Sequence, residues 1–168
     1  YFYTYNELHR IYLKVLYARL GRIISPISNK EVKSDELYDV VKFVKSFKIG
    51  TKGVLYLNYK NTSRQTINKL VSDGFSRIRV DGKFKSLNKL TEEKNFDLII
   101  DRFIVKHDKD FITQISDSIQ TAFDQLNGEC WLDISEENKI ITQYFSKKLE
   151  ADGMTFEFPS IELFNFNS

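Results

Sequence analysis

The residues able to do chemistry are few and poorly grouped. The sequence holds two histidines, His9 and His107, and one cysteine, Cys130. Their spacing matches no metal-ligand pattern, so zinc is not expected from them. Cys130 sits in "GECWLDI", where a small buried strand residue is expected rather than a nucleophile. Gly-x-x-x-x-Gly-Lys-Ser/Thr occurs nowhere in the sequence, so no phosphate loop of that kind is present. Asp97 and Asp101 lie four apart in the apolar run "FDLIIDRFIV". Strand periodicity predicts both on one face. A catalytic acid pair would also need a cleft and a dry neighbour, and the sequence offers neither. No active site is expected.

Arginine remains. In "FSRIRVDGKFKSL" Arg77 and Arg79 alternate with Ile78 and Val80, and Arg102 interrupts the second apolar run beside Asp101. A guanidinium presents a planar fork of donors that meets carboxylate or phosphate in two bonds. An acidic protein surface is one partner such residues fit. Nucleic acid is the other, through Arg77, Arg79, Lys83, Lys85 and Lys89 on phosphates. The net charge of +2 is small for a dedicated nucleic-acid binder. Base-stacking modules also need exposed aromatics beside basic residues on one sheet face, whereas Phe75, Phe84, Phe103 and Trp131 are expected in the core.

These residues need a scaffold, and composition allows one. Of 168 residues, 42% are hydrophobic and 14% aromatic, enough for a folded core. One cysteine excludes an internal disulfide framework and fits a reduced, cytoplasmic setting. No run approaches the roughly 20 apolar residues of a membrane span, and "YFYTYNELHR" does not read as a signal peptide. Helical spacing of Leu8, Ile11, Tyr12, Val15, Leu16 and Leu20 predicts a helix over 6–20, closed by Gly21. A second helix is predicted from a Ser34 cap, with Leu37, Val40, Val41 and Val44 as its stripe. "VLYLNY" predicts a strand, followed by a short helix capped at Thr62 or Ser63. Asp81-Gly82 predicts a reversal. A three-residue loop including Lys83 is preferred there, because it sets Val80 against Phe84 and Arg79 against Lys85. "FDLIIDRFIV" predicts a central strand. Phe111, Ile112, Ile115, Ile119, Ala122, Phe123 and Leu126 predict a helix over 109–126. "CWLDI" and "KIITQYF" predict a final strand pair. The sum is an α+β chain: a mixed sheet covered by helices, preceded by an N-terminal helical segment.

Four blocks in order resemble one family. They are "YLKVLYARLGRIISPISNKEV", "DGFSRIRVDGKFKSL", "LIIDRFIVKHDKDF" with "ISDSIQTAF", and "DGMTFEFPSIELFNFNS". Over about Tyr12 to Ser168 the chain resembles the UvrA family, the damage-recognition component of the bacterial excinuclease ABC. The resemblance implies a fragment containing the UvrB-binding domain of that component, at work in nucleotide excision repair. It implies a helical segment over 1–50 adjoining the ATP-binding and zinc-module region, the interaction domain over 51–150, and a return segment over 151–168. ATP hydrolysis, dimerisation and most DNA contact would belong to other parts of the parent. No cofactor is expected in this stretch, and UvrB is the expected partner. By the same resemblance Arg77, Arg102 and Asp117 correspond to docking residues. Arg79 and Asp101 are added as their neighbours. A DNA-contacting domain using the basic hairpin is the alternative. One departure stands out: Ser25 and Ser28 of "SPIS" occupy the places of a Cys-Pro-x-Cys pair of the family's zinc module. A serine hydroxyl stays protonated at neutral pH and ligates zinc poorly. No zinc is expected there, with Pro26 still holding the loop.

Overall fold

The computed structural model describes residues 5–90, 95–137 and 139–157. It divides into two compact units, Asp35–Lys147 and Tyr1–Ser34 with Lys148–Ser168.

The larger unit contains α2 (Leu37–Lys45), β1 (Lys52–Tyr59), α3 (Arg64–Ser72), β2 (Arg77–Val80), β3 (Lys83–Ser86), β4 (Phe96–Ile104), α4 (Lys109–Gln125), β5 (Glu129–Glu136) and β6 (Lys139–Ser146). The six strands form one sheet, ordered β3-β2-β4-β1-β5-β6. Each pairing is antiparallel. The α+β class is as the sequence predicts. β4 lies inside the sheet, flanked by β2 and β1.

One sheet face carries the core. Leu55, Leu57, Leu98, Leu132 and Ile134 are fully covered there. Against them pack Val40 and Val44 of α2 and Ile115, Ile119, Ala122 and Phe123 of α4. Each of the larger apolar side chains contributes about 1.5–3 kcal/mol by leaving water. The apolar stripe of α4 is therefore the one read from spacing. Asp108 caps that helix, its carboxylate accepting from the Phe111 N–H at 2.8 Å. The cap of α2 is Glu36, not Ser34; its N–H donates to the Asp39 carboxylate at 2.9 Å. Ser63 caps α3, accepting from Thr66 N–H at 3.2 Å. Gly53 is required by packing: a Cβ there would lie 2.3 Å from the Phe103 ring.

Two further local expectations are corrected. The first concerns the β2–β3 hairpin. Val80 pairs with Lys83, Arg79 with Phe84 and Ile78 with Lys85. The loop is the two residues Asp81 and Gly82, with φ of 48° and 74°. That is the positive-φ pair of a tight hairpin turn, whose twist matches the strands. The expected loop assumed that β3 must separate core from solvent. All four β3 residues are exposed, so this edge strand is under no such constraint. The second concerns β4. The β1–β4 register shifts at Leu55/Tyr56: Tyr56 faces Ile99 while Leu55 faces Asp101. Ile100 is the extra residue of a β-bulge, which reverses the facing beyond it. Asp97 and Asp101 consequently point to opposite faces.

The smaller unit holds α1 (Tyr5–Leu20) and the hairpin β7 (Leu149–Ala151)–β8 (Met154–Phe156). Ile24 and Glu31 form an isolated bridge. Ile11, Tyr12, Leu13, Leu16 and Leu20 of α1 are exposed. Among the described residues no helix is long and apolar enough to cross a membrane.

Candidate protein-interaction face

Among the described residues, the helices of this unit, α2, α3 and α4, pack on one side of the sheet. Strand alternation places Arg77, Arg79, Phe84, Asp97, Arg102, Val54, Tyr56, Trp131, Asp133, Thr142 and Tyr144 on the other.

Arg79 is the centre of this face and is not free. Its Nε donates to Asp97 at 2.9 Å and its Nη1 to Asp133 at 2.6 Å. Its guanidinium carbon stands 4.4 Å from the centre of the Tyr56 ring. Only 17% of the Arg79 side chain is exposed, against 20% for Asp97 and 10% for Asp133. Asp133 also accepts from Thr142 Oγ1 at 2.7 Å and Tyr56 OH at 3.3 Å. Asp97 accepts from Asn58 Nδ2 at 2.8 Å. The network therefore links β2, β4, β1, β5 and β6. Burial opposes the Arg79 charge, yet hydrogen bonds to Asp133 and Asp97 outweigh it and hold the pKa above the ordinary value. Burial, reinforced by the Asp133 charge, pushes the Tyr56 phenol up to about 12.

The exposed arginines lie to one side of this network. Arg77, Arg102, Phe84, Val54, Lys52 and Ser135 are among the residues lining an open recess of about 490 Å³. Arg102 stacks its guanidinium 4.9 Å from the centre of the Phe84 ring, and Phe84 itself is 51% exposed. Phe84 is thus not core, contrary to expectation: it pairs with Arg79 across the two-residue hairpin and so shares that residue's face. Trp131 also lies on this helix-free side, packed between Tyr56 and Tyr144 at 6.4 and 4.8 Å between ring centres. Phe103 is buried and Phe75 packs against the core, as expected.

Asp101 and Asp117 lie on the helix side. The Asp101 carboxylate accepts from Ser118 Oγ at 2.8 Å and Gln114 Nε2 at 3.3 Å, both on α4. Asp117 is exposed on α4, next to Ser118. The five residues thus fall into three settings. Arg77 and Arg102 share the recess, Arg79 is internal to the face, and the Asp101–Ser118 bond ties the turn bearing Asp117 to the strand bearing Arg102.

Sequence reasoning does not find Asp133, Tyr56 or the exposed Phe84. A signal exists for Asp133. It is an acid inside the apolar "CWLDI", in phase with Trp131. Nothing local says that it faces an arginine three strands away. Cys130 needs no correction: it is fully buried, and burial, with the nearby Asp35 charge, pushes its thiol up to about 12.

Residues 36–136 match the family model described as the UvrA interaction domain. Over 98% of its length the chain is 30% identical to UvrABC system protein A of Listeria monocytogenes, covering 18% of that protein. It is 29% identical to the protein of the same name from Halalkalibacterium halodurans, over 94% of this chain and 17% of the relative. For Rickettsia prowazekii the identity is 28%, over 98% and 19% respectively. The chain spans under a fifth of the length of these curated relatives.

Proposed function

The chain belongs to the UvrA interaction-domain family, and from that premise we propose that it serves nucleotide excision repair by docking UvrB through its helix-free sheet face. The observation that carries this reading is the recess in which Arg77 and Arg102 flank the exposed Phe84. An aromatic ring set among guanidinium groups gives an apolar anchor ringed by carboxylate-binding forks, the residue types that dominate protein interface energetics. Oppositely charged patches on a partner would be steered into register and released again at modest cost. Such reversibility suits a handoff.

The roles of the five residues differ in this account. Arg102 and Arg77 meet acidic groups of UvrB directly. Arg102 is held against Phe84, so its loss costs about 2 kcal/mol, the lower end for a desolvated interfacial charge. Arg77 is exposed on the strand surface, and its loss costs about 1 kcal/mol or less. Arg79 acts from within, keeping five strands in register. Asp117, on α4 at the other side of the sheet, stands outside this face, and Asp101 only ties its helix turn to β4. Catalysis is assigned to none of them.

One observation favours a second reading. An exposed Phe84 beside two arginines on a sheet face is also how single-stranded nucleic acid is bound. Against it stand Asp97 and Asp133, which neutralise Arg79 at the centre of the same face. The two readings separate by titrating the protein with purified UvrB and with single- and double-stranded DNA at about 50 and 200 mM salt. Docking predicts saturable UvrB binding and weak DNA binding. Tight DNA binding that collapses with salt, without affinity for UvrB, would replace docking by nucleic-acid contact.

A further inference from the structure

Ser25 is fully buried although it is polar. Its hydroxyl donates to Asp152 Oδ2, and Ser28 Oγ donates to the same oxygen at 2.6 Å. The Ser25 oxygen in turn accepts from the backbone N–H groups of Ile27 and Ser28 at 3.3 and 3.4 Å. Two backbone bonds close the turn, Asn29 N–H to Ser25 O and Ser25 N–H to Lys30 O, each at 2.9 Å. Asp152 is the first residue of the two-residue β7–β8 turn, with φ of 54°. That conformation suits Asp better than most residues.

Zinc does not fit this group. A zinc site needs thiolate, imidazole or carboxylate donors. Here two of the three side chains are hydroxyls whose protons are engaged on the third. Among the described residues no set of three or more His, Cys, Asp or Glu could hold a metal ion. Asp152 meanwhile has a role that needs its charge. One carboxylate oxygen accepts two hydroxyl protons, and charge-assisted bonds of this kind are stronger than neutral ones. The Ser25 and Ser28 hydroxyls hold its pKa below the usual carboxylate value.

We propose that Ser25, Ser28 and Asp152 form a metal-independent clasp, in which one carboxylate cross-links the 25–30 turn to the β7–β8 turn. The partners are 127 and 124 residues apart. In sequence, Asp35–Lys147 lies between them. The clasp therefore joins the stretch that precedes the interaction unit to the stretch that follows it. Within that unit Asp35 N–H donates to Ser146 O at 2.7 Å, so the only free chain left for the clasp to close is the short stretches flanking the unit.

Hydrogen–deuterium exchange, read by peptide with and without a chelator, tests this. In the native protein, the chelator leaves exchange over 23–32 unchanged. Asp152→Ala accelerates exchange there by about two- to tenfold for each hydrogen bond lost, while peptides from residues 96–134 keep their rates. Asp152→Asn, which retains an acceptor without the charge, gives a smaller acceleration. Those unchanged peptides separate failure of the clasp from failure of the fold, and no UvrB is involved, so the docking reading is tested elsewhere. Faster exchange at 23–32 on chelation, or stoichiometric zinc by elemental analysis lost on Asp152→Ala, would overturn the proposal. So would an unchanged rate in Asp152→Ala.

Discussion

Replacing Arg79 with methionine keeps an unbranched apolar stem and removes the guanidinium and its charge. Asp97 and Asp133 would then face each other across Tyr56 without a cation. Exposed ion pairs contribute about 0–1 kcal/mol; breaking a buried one costs about 3–5 kcal/mol. The Arg79 group lies near the second case, with 17%, 20% and 10% of the three side chains exposed. Two features moderate the loss. Asp133 keeps the Thr142 and Tyr56 hydroxyls, and Asp97 keeps Asn58. The expected cost is about 2–3 kcal/mol. Urea unfolding measures it as a lower midpoint at constant slope, and heating as a melting point lower by roughly 5–10 °C. The triple change Arg79→Met, Asp97→Asn, Asp133→Asn should recover more than half of the loss, because no buried charge is then left uncompensated. A single-variant cost below about 1 kcal/mol, or a triple variant no better than the single one, would refute the idea that Arg79 acts as an internal tie.

Three other buried groups give further tests. Gly53→Ala places a methyl against the Phe103 ring and should destabilise by about 1–3 kcal/mol in the same urea assay. The Cys130 thiol, raised to about 12 by burial, should resist iodoacetamide at about pH 8 in the folded protein and react once it is unfolded, since only the thiolate attacks. Tyr56 has a folded pKa of about 12 against 10.0 for the free side chain. Its neutral form is favoured by folding, so stability is retained below pH 10 and falls as pH rises from 10 towards 12. Tyr56→Phe should remove that part of the alkaline loss in unfolding curves taken from about pH 9 to 12.

What is legible in the sequence depends on how local its cause is. The stripe of α4 repeats every three to four residues along one element, so it can be read directly. The alternation of Arg77 and Arg79 with Ile78 and Val80 is equally local, and the structure keeps it. The bulge at Ile100 is set by the partner strand, so spacing alone puts Asp101 on the wrong face. The hairpin loop escapes for a similar reason: only the sheet reveals that β3 is an edge strand with both sides open. Arg79 illustrates the limit for sites. Its spacing says that it leaves the core, but its two carboxylates come from residues 18 and 54 positions away. Long-range pairing of this kind leaves no periodic trace. Family resemblance supplies Arg77, Arg102 and Asp117 as candidates, and geometry then separates the accessible Arg102 from the engaged Arg79.

Docking through the helix-free face is tested most directly by the affinity for UvrB of two single variants, Arg102→Ala and Phe84→Ala. Each is measured by calorimetry alongside its urea midpoint. Both side chains are exposed, so the midpoints should stay near that of the native protein. The account predicts at least about tenfold weaker binding for each, corresponding to about 1.4 kcal/mol or more. Native affinity in both variants, with native midpoints, would contradict it and move the interface off this face.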